Sequence, residues 1–309
     1  MQILNNLGVL VLKKNFLLIL TFSLIVSGIF LTFQESYIKK TVNFFIENDF
    51  ELNSVMRSAV IQKSEPLDLS KIIPALPDSK KASFVLRASS LNSLENGAVV
   101  DKWIDESSNK IELNSNSSSL KLKKNAINKL SSVVFSGDSF FENPNVLGEK
   151  IISNNATTVV AVVKPLPTSI EFSEFYSWGD CQESRFLVHI LGENQSNLQF
   201  QFGDPKQHTN STLVESLSGH YHLMVFHKDS AKSLIEINGV RIGQRNQSNG
   251  VGYLDVAKSA SMKIGTSDCK HIFKGEIAEI LIYKNLTSAE RYGMTKYLMN
   301  KYDLVPNYE

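Results

Sequence analysis

The sequence predicts an all-β sandwich of two sheets with a short C-terminal helix, placed behind a long N-terminal helix. Three observations carry this reading: a charge-free apolar stretch near the start, helical periodicity after it, and, from about Ser83, short apolar runs separated by turn residues. The chain has 309 residues, 42% hydrophobic and 20% charged, which leaves room for one large domain with an appendage. Lys and Arg number 32 against 31 Asp and Glu, so there is no basic surplus for neutralising nucleic-acid phosphates. Two cysteines exclude a disulfide scaffold and a zinc site built mainly from thiolates.

Lys13 and Lys14 are followed by no charged residue until Glu35, so residues 15–34 are long enough to cross a bilayer as a helix. A cleavable signal peptide competes with this reading. The length of the apolar stretch and the lack of a clean small-residue cleavage site favour an anchor, with residues 1–34 as N-terminal segment and membrane span. The long C-terminal part is then expected outside the cytoplasm, at the cell surface or in the periplasm.

From Glu35 to Gln62 there is no Gly or Pro, and Ile38, Val42, Phe45, Leu52, Met56 and Ala59 form a heptad-like stripe. Residues 35–63 therefore read as an amphipathic stalk helix, which either packs on its own domain or pairs with other subunits. Pro66, Pro74 and Pro77 make 64–82 a linker, and 83–309 is the β domain.

The clearest strands are Val159–Val163, Phe186–Ile190, Leu198–Phe202, Tyr221–Phe226 and Ile277–Tyr283. Asn238-Gly239 between Ile235–Ile237 and Val240–Ile242 marks a hairpin, because both residues tolerate the positive φ of a type I′ turn. Strands at this spacing without alternating helices point to a sandwich or jelly roll. Thr287-Ser288-Ala289-Glu290 has the form of a capping box, so a helix is expected from Ala289 to about Lys301, with Tyr292, Leu298, Met299 and Tyr302 as its buried contacts.

The opening Phe84-Val85-Leu86-Arg87-Ala88-Ser89-Ser90-Leu91, then Gly97 to Asn109 with Trp103 and Asp105, resembles that of the concanavalin A-like lectin/glucanase superfamily in its laminin-G-like form. The block Phe273-Lys274-Gly275-Glu276-Ile277-Ala278-Glu279-Ile280-Leu281-Ile282-Tyr283 and the closing helix continue the resemblance, which covers roughly 83–304. It implies a double-sheet jelly roll, used by relatives to bind glycans or protein surfaces, in some cases with Ca²⁺.

The catalytic carboxylate runs of the superfamily's glucanases are absent. Glu276 and Glu279, three apart on a strand, are expected on opposite faces with structural roles, and Trp103 in the core. An enzyme is not expected, nor a metal site. His220 and His222 share a strand face without a neighbouring carboxylate, and His271, two residues after Cys269, forms only half a ligand set. Cys181 and Cys269 are better used as a disulfide, worth up to about 4–5 kcal/mol in the chain-entropy picture.

For ligand binding the sequence singles out a loop, Phe175 to Asp180. There Tyr176 and Trp178 offer flat apolar faces for a pyranose, and Asp180 can accept its hydroxyl protons or help hold Ca²⁺. Completion of the core by these aromatics is the alternative. Asn246 and Asn249 lie in a second polar loop of similar potential. The expected partners are thus carbohydrate or a cell-surface protein, the membrane through 15–34, and other copies through the stalk. A rival plan is a pilin-like or pseudopilin-like filament subunit, against which Asn15 stands where Gly precedes the processed residue and Leu20 where the fifth residue is Glu.

Overall fold

The computed structural model describes residues 81–305, except 169–171, 181–184, 192–196, 204–207, 213–215 and 247–253. The anchor at 15–34, the stalk at 35–63, the filament reading built on them, and most of the linker lie outside the described residues. Among the described residues no helix is long and apolar enough to cross a membrane.

In chain order the first eight strands are β1 (Ala82–Arg87), β2 (Lys102–Ile104), β3 (Glu112–Ser115), β4 (Lys121–Ile127), β5 (Leu130–Ser136), β6 (Phe141–Leu147), β7 (Thr157–Pro165) and β8 (Phe172–Gly179). The next eight are β9 (Arg185–Leu191), β10 (Asn197–Gly203), β11 (His208–Thr212), β12 (His222–Lys228), β13 (Lys232–Ile237), β14 (Val240–Asn246), β15 (Ser259–Ile264) and β16 (Lys274–Lys284). A single helical turn, α1 (Gly148–Ile151), follows β6, and α2 (Ser288–Tyr302) closes the domain. Sheet 1 runs β14-β13-β12-β7-β16-β5-β4, with β1 also on β16; sheet 2 runs β11-β10-β9-β8-β15-β6-β3-β2. The named strands pair antiparallel throughout. The all-β sandwich with a C-terminal helix is therefore as expected.

The core between the sheets is held by aromatic rings in edge or tilted contact. Trp103, Phe141, Phe135, Phe273, Phe175, Phe226, Phe200 and Phe186 follow one another at centroid separations of 5.6–6.2 Å. Such pairs add about 0.5–1.5 kcal/mol each beyond the area they bury. A second apolar cluster lies on the outer face of sheet 1, where Val160, Val162, Leu223, Val225 and Leu281 are covered by Met294, Leu298, Met299 and Tyr302 of α2. β7 and β12 are thus buried on both faces, which explains why Val159–Val163 and Leu223–Phe226 are continuous apolar runs.

Helix α2 begins at the predicted capping box: the Thr287 side chain accepts from the Glu290 amide, and the Glu290 carboxylate accepts from the Thr287 amide. Leu298, Met299 and Tyr302 face the sheet as expected, but Tyr292 is on the solvent side and Met294 takes its place in the core. The hairpin turn is as read, with positive φ at Asn238 (48°) and Gly239 (82°).

Glu276 and Glu279 correct the expectation of opposite faces. A register shift between Ile277 and Glu279 inserts a bulge into β16, so Ile277 and Ile280 point into the sandwich while both carboxylates emerge on the outer face. The glycine of the same block is required by crowding: a Cβ on Gly275 would lie 2.4 Å from the Lys164 carbonyl oxygen and from the Phe273 ring. His220 also differs from expectation, since β12 starts at His222 and His220 is exposed in the preceding turn.

Lys228, at the end of β12, is 1% exposed, donates to the Asn154 carbonyl at 3.0 Å, and stands 4.2 Å over the Phe202 ring. Burial lowers its pKa to about 8 from 10.5, with Asp229 opposing. Because the folded value lies below the unfolded one, the charged form opposes folding fully below pH 8, and that penalty fades as pH rises to 10.5. The stability gap between Lys228→Met and wild type is expected to be about 2–3 kcal/mol at pH 7, in favour of the variant, and to close by pH 10.5 in urea titrations. A gap independent of pH would show that the ammonium is not the cause.

Candidate functional site

The loop expected over Phe175–Asp180 is strand β8 up to Gly179. Tyr176 is 0% and Trp178 2% exposed, and both belong to the inter-sheet core. The cause is a second bulge, between Glu174 and Tyr176, which turns consecutive aromatics, Phe175 and Tyr176, toward the interior. Trp178 is further fixed by an indole hydrogen bond to the Val146 carbonyl, 2.9 Å. Neither ring presents a face on which a sugar could stack, so both correct the sequence-based expectation. Asp180 is at the surface just past β8, with its carboxylate 3.8 Å from the Lys258 ammonium. Asn246 is exposed at the end of β14, in the other sheet, where its side chain accepts from Gln244 at 3.1 Å. Asn249 and Cys181 lie outside the described residues, and with Cys181 the expected bridge to Cys269.

The bulge in β8 has another result. It sets Glu174 directly opposite His189 of β9 on the outer face of sheet 2, while Val188 and Ile190 on either side of His189 enter the core. His271 reaches the same point from the segment before β16. That segment is held by a bridge between Glu174 and Ile272 and by a turn in which the Lys270 amide donates to Ser267. Lys270 takes a positive φ of 61° there. The Phe172 ring stacks on His271, centroids 4.9 Å apart and 23° between planes, which fixes the imidazole orientation.

One oxygen of Glu174, Oε1, accepts from His271 Nδ1 at 2.8 Å and lies 2.7 Å from His189 Nδ1. The His189 contact is a close pairing that lacks the alignment of a hydrogen bond, and among the described residues His189 Nε2 and Glu174 Oε2 are buried without a hydrogen-bond partner. Burial pushes the Glu174 carboxyl up, but the adjacent imidazoles and Ser267 outweigh it and bring the pKa down to about 2. Among the described residues this is the one place where three metal-ligating side chains gather, with ligand atoms within 4.8 Å of one another. Sequence reading noticed only His271 and sought its complement next to it. The signal that could have found the others is an ionisable residue inside an apolar strand run, Glu174 in Phe172–Trp178 and His189 in Phe186–Ile190.

Three other buried ionisable groups, Glu276, Asp105 and His222, are held by hydrogen bonds within the fold. Glu276 accepts from Lys123 (2.8 Å), Ser132 (2.9 Å) and Tyr221 (2.6 Å). Burial pushes its pKa up, but these donors outweigh burial and hold the carboxyl below its ordinary range, so it stays ionised, contrary to what a general acid of glycoside hydrolysis needs. Asp105 is fully buried and accepts from the Val85 amide and from both the amide and hydroxyl of Ser107, which makes the Trp103–Asn109 segment a fixed turn. Among the described residues His222 has no side-chain partner: its Nε2 meets the Leu217 carbonyl at 3.0 Å, and burial lowers its pKa to about 4.

No protein-family model and no curated protein matches the chain. Among solved structures it is similar to the binding domain of Paraclostridial Mosquitocidal Protein 1 (TM-score 0.51, 12% identity), over 72% of this chain and 53% of that one. It is also similar to the binding domain of botulinum neurotoxin DC in complex with SialylT (TM-score 0.50, 11% identity), over 71% and 52%. A variant of the NanB sialidase from Streptococcus pneumoniae matches over 52% of this chain but 27% of its own length (TM-score 0.42, 13% identity). The chain therefore spans about a quarter to a half of these proteins. At such identities the likeness shows the fold alone, a two-sheet antiparallel β-sandwich.

Proposed function

We propose that this chain is a single-pass, membrane-anchored protein that displays its sandwich outside the cytoplasm on a helical stalk. There it binds carbohydrate, or the surface of a partner protein, without catalysis. The sandwich is proposed to be concanavalin A-like, in laminin-G-like form. The observation that carries the reading is the likeness of the described fold to two toxin binding domains, one of them in complex with SialylT. The charge-free segment 15–34 supports the anchor, and the absence of a glucanase-type carboxylate run from the sequence supports a non-catalytic role.

The full chain in detergent, titrated against a panel of glycans including sialylated ones, is expected to show saturable binding to at least one class. Runs with Ca²⁺ and with chelator decide the calcium question. Asp180→Ala and Asn246→Ala, both surface substitutions, are each expected to weaken that binding by roughly tenfold, the worth of about one hydrogen bond. Absence of binding in every condition would refute the glycan reading and leave a protein surface as the partner.

The Cys181–Cys269 disulfide is also proposed. Denatured protein is expected to show no reactive thiol before reduction and two after it, and reduction to lower stability by up to about 4–5 kcal/mol. Two reactive thiols without reductant would reject the bridge.

A further inference from the structure

On the outer face of sheet 2, we propose that Glu174, His189 and His271 form a binding site for a divalent first-row transition cation, with Zn²⁺ the ion that fits best. Mutual hydrogen bonding does not account for the arrangement. Glu174 Oε1 is shared by both imidazoles, whereas among the described residues His189 Nε2 and Glu174 Oε2 are buried without an aligned hydrogen-bond partner. Glu174 is 0% exposed and His189 3%, so an unmatched polar atom there is costly. A cation drawn in by the carboxylate satisfies a nitrogen of His189 and the free oxygen of Glu174 together.

The donor set selects the class of ion. Two imidazoles and one carboxylate suit Zn²⁺ and its neighbours, while Ca²⁺ and Mg²⁺ require shells of oxygen. The ligand atoms already lie within 4.8 Å of one another, so metal bonds of about 2.0–2.2 Å need only small shifts of the side chains around a common centre. Two of the ligands stand on paired strands as direct cross-strand neighbours, and the third is oriented by the stacked Phe172, so the site is built on rigid elements. His271 is 29% exposed at its side chain, which gives the cation a route in and leaves a fourth coordination position for water or an external oxygen ligand.

The test uses the full chain in detergent, stripped with chelator and titrated with Co²⁺ and then Zn²⁺. The expected result is one Co²⁺ per chain with the visible absorption bands of a low-coordinate nitrogen-and-oxygen site, displaced by Zn²⁺ but not by an equal concentration of Ca²⁺. His271→Ala removes a partly exposed ligand, and its fold can be confirmed by circular dichroism. It is expected to lose more than the about 10–100-fold in affinity that even outer partners of metal ligands are worth. Glu174→Gln is expected to lose binding likewise. No stoichiometric Co²⁺ or Zn²⁺ binding by the wild-type chain, or binding unchanged in folded His271→Ala, would overturn the proposal. Neither result bears on glycan binding.

Discussion

Trp178→Ala is expected to lower the stability of the domain by about 3–5 kcal/mol, the range for deleting a large aromatic from a packed core. Trp178 packs between the cross-strand neighbours Phe186 and Met262, and its ring closes so tightly over Gly148 that a Cβ there would come within 2.7 Å. Truncation leaves a cavity at the junction of β8, β15 and α1 and removes the indole donor from the Val146 carbonyl. Trp178→Phe keeps most of the volume and loses the hydrogen bond, so about 1–2 kcal/mol is expected for it. Urea unfolding of the full chain in detergent, followed by circular dichroism, checks both. If Trp178→Ala were as stable as wild type and lost only ligand binding, the buried placement of the ring would be wrong and the surface platform right.

That contrast shows where sequence reading works in this protein. Continuous runs such as Val159–Val163 were legible as strands because burial on both faces leaves no polar position to blur them. The Asn238-Gly239 turn and the Thr287–Glu290 capping box were legible because backbone geometry there restricts the residue choice. What was not legible turns on one inserted residue. A bulge in β8 sends Phe175 and Tyr176 both inward and places Glu174 opposite His189, and a bulge in β16 puts Glu276 and Glu279 on one face. Alternation is the sole guide to facing in a strand, and a bulge shifts it by one without leaving a mark in composition. The three-residue cluster was hidden for a further reason, since Glu174 and His271 are 97 residues apart and meet only through sheet 2 and the segment preceding β16.

The bulge in β16 leads to the other large effect. Glu279→Ala is expected to cost about 3–5 kcal/mol, the usual penalty for removing one partner from a buried ionic group. Glu279 is 1% exposed and accepts from Arg87 Nε at 2.7 Å, Lys301 Nζ at 2.6 Å and Tyr302 Oη at 2.8 Å. Through these bonds a single carboxylate joins β1, β16 and the last turn of α2. Its loss leaves the Tyr302 hydroxyl buried without an acceptor and Lys301 without its anion, while Arg87 keeps Glu106. Burial and the Glu279 charge together hold the Tyr302 hydroxyl far above its ordinary pKa, so the phenol remains a neutral donor. Glu279→Gln, which keeps an acceptor oxygen and gives up the charge, should cost less. A double-mutant cycle with Tyr302→Phe should show a coupling of about 0.5–3 kcal/mol, because the two residues share one hydrogen bond. The loss should also be visible locally, as faster amide exchange in the last turn of α2 than in β7. A Glu279→Ala chain of wild-type stability that had lost a hydrolytic activity would reverse this reading and make the carboxylate a reagent. Equal destabilisation by Ala and Gln would place the cost in the lost charge, because the acceptor oxygen that Gln preserves would then count for nothing.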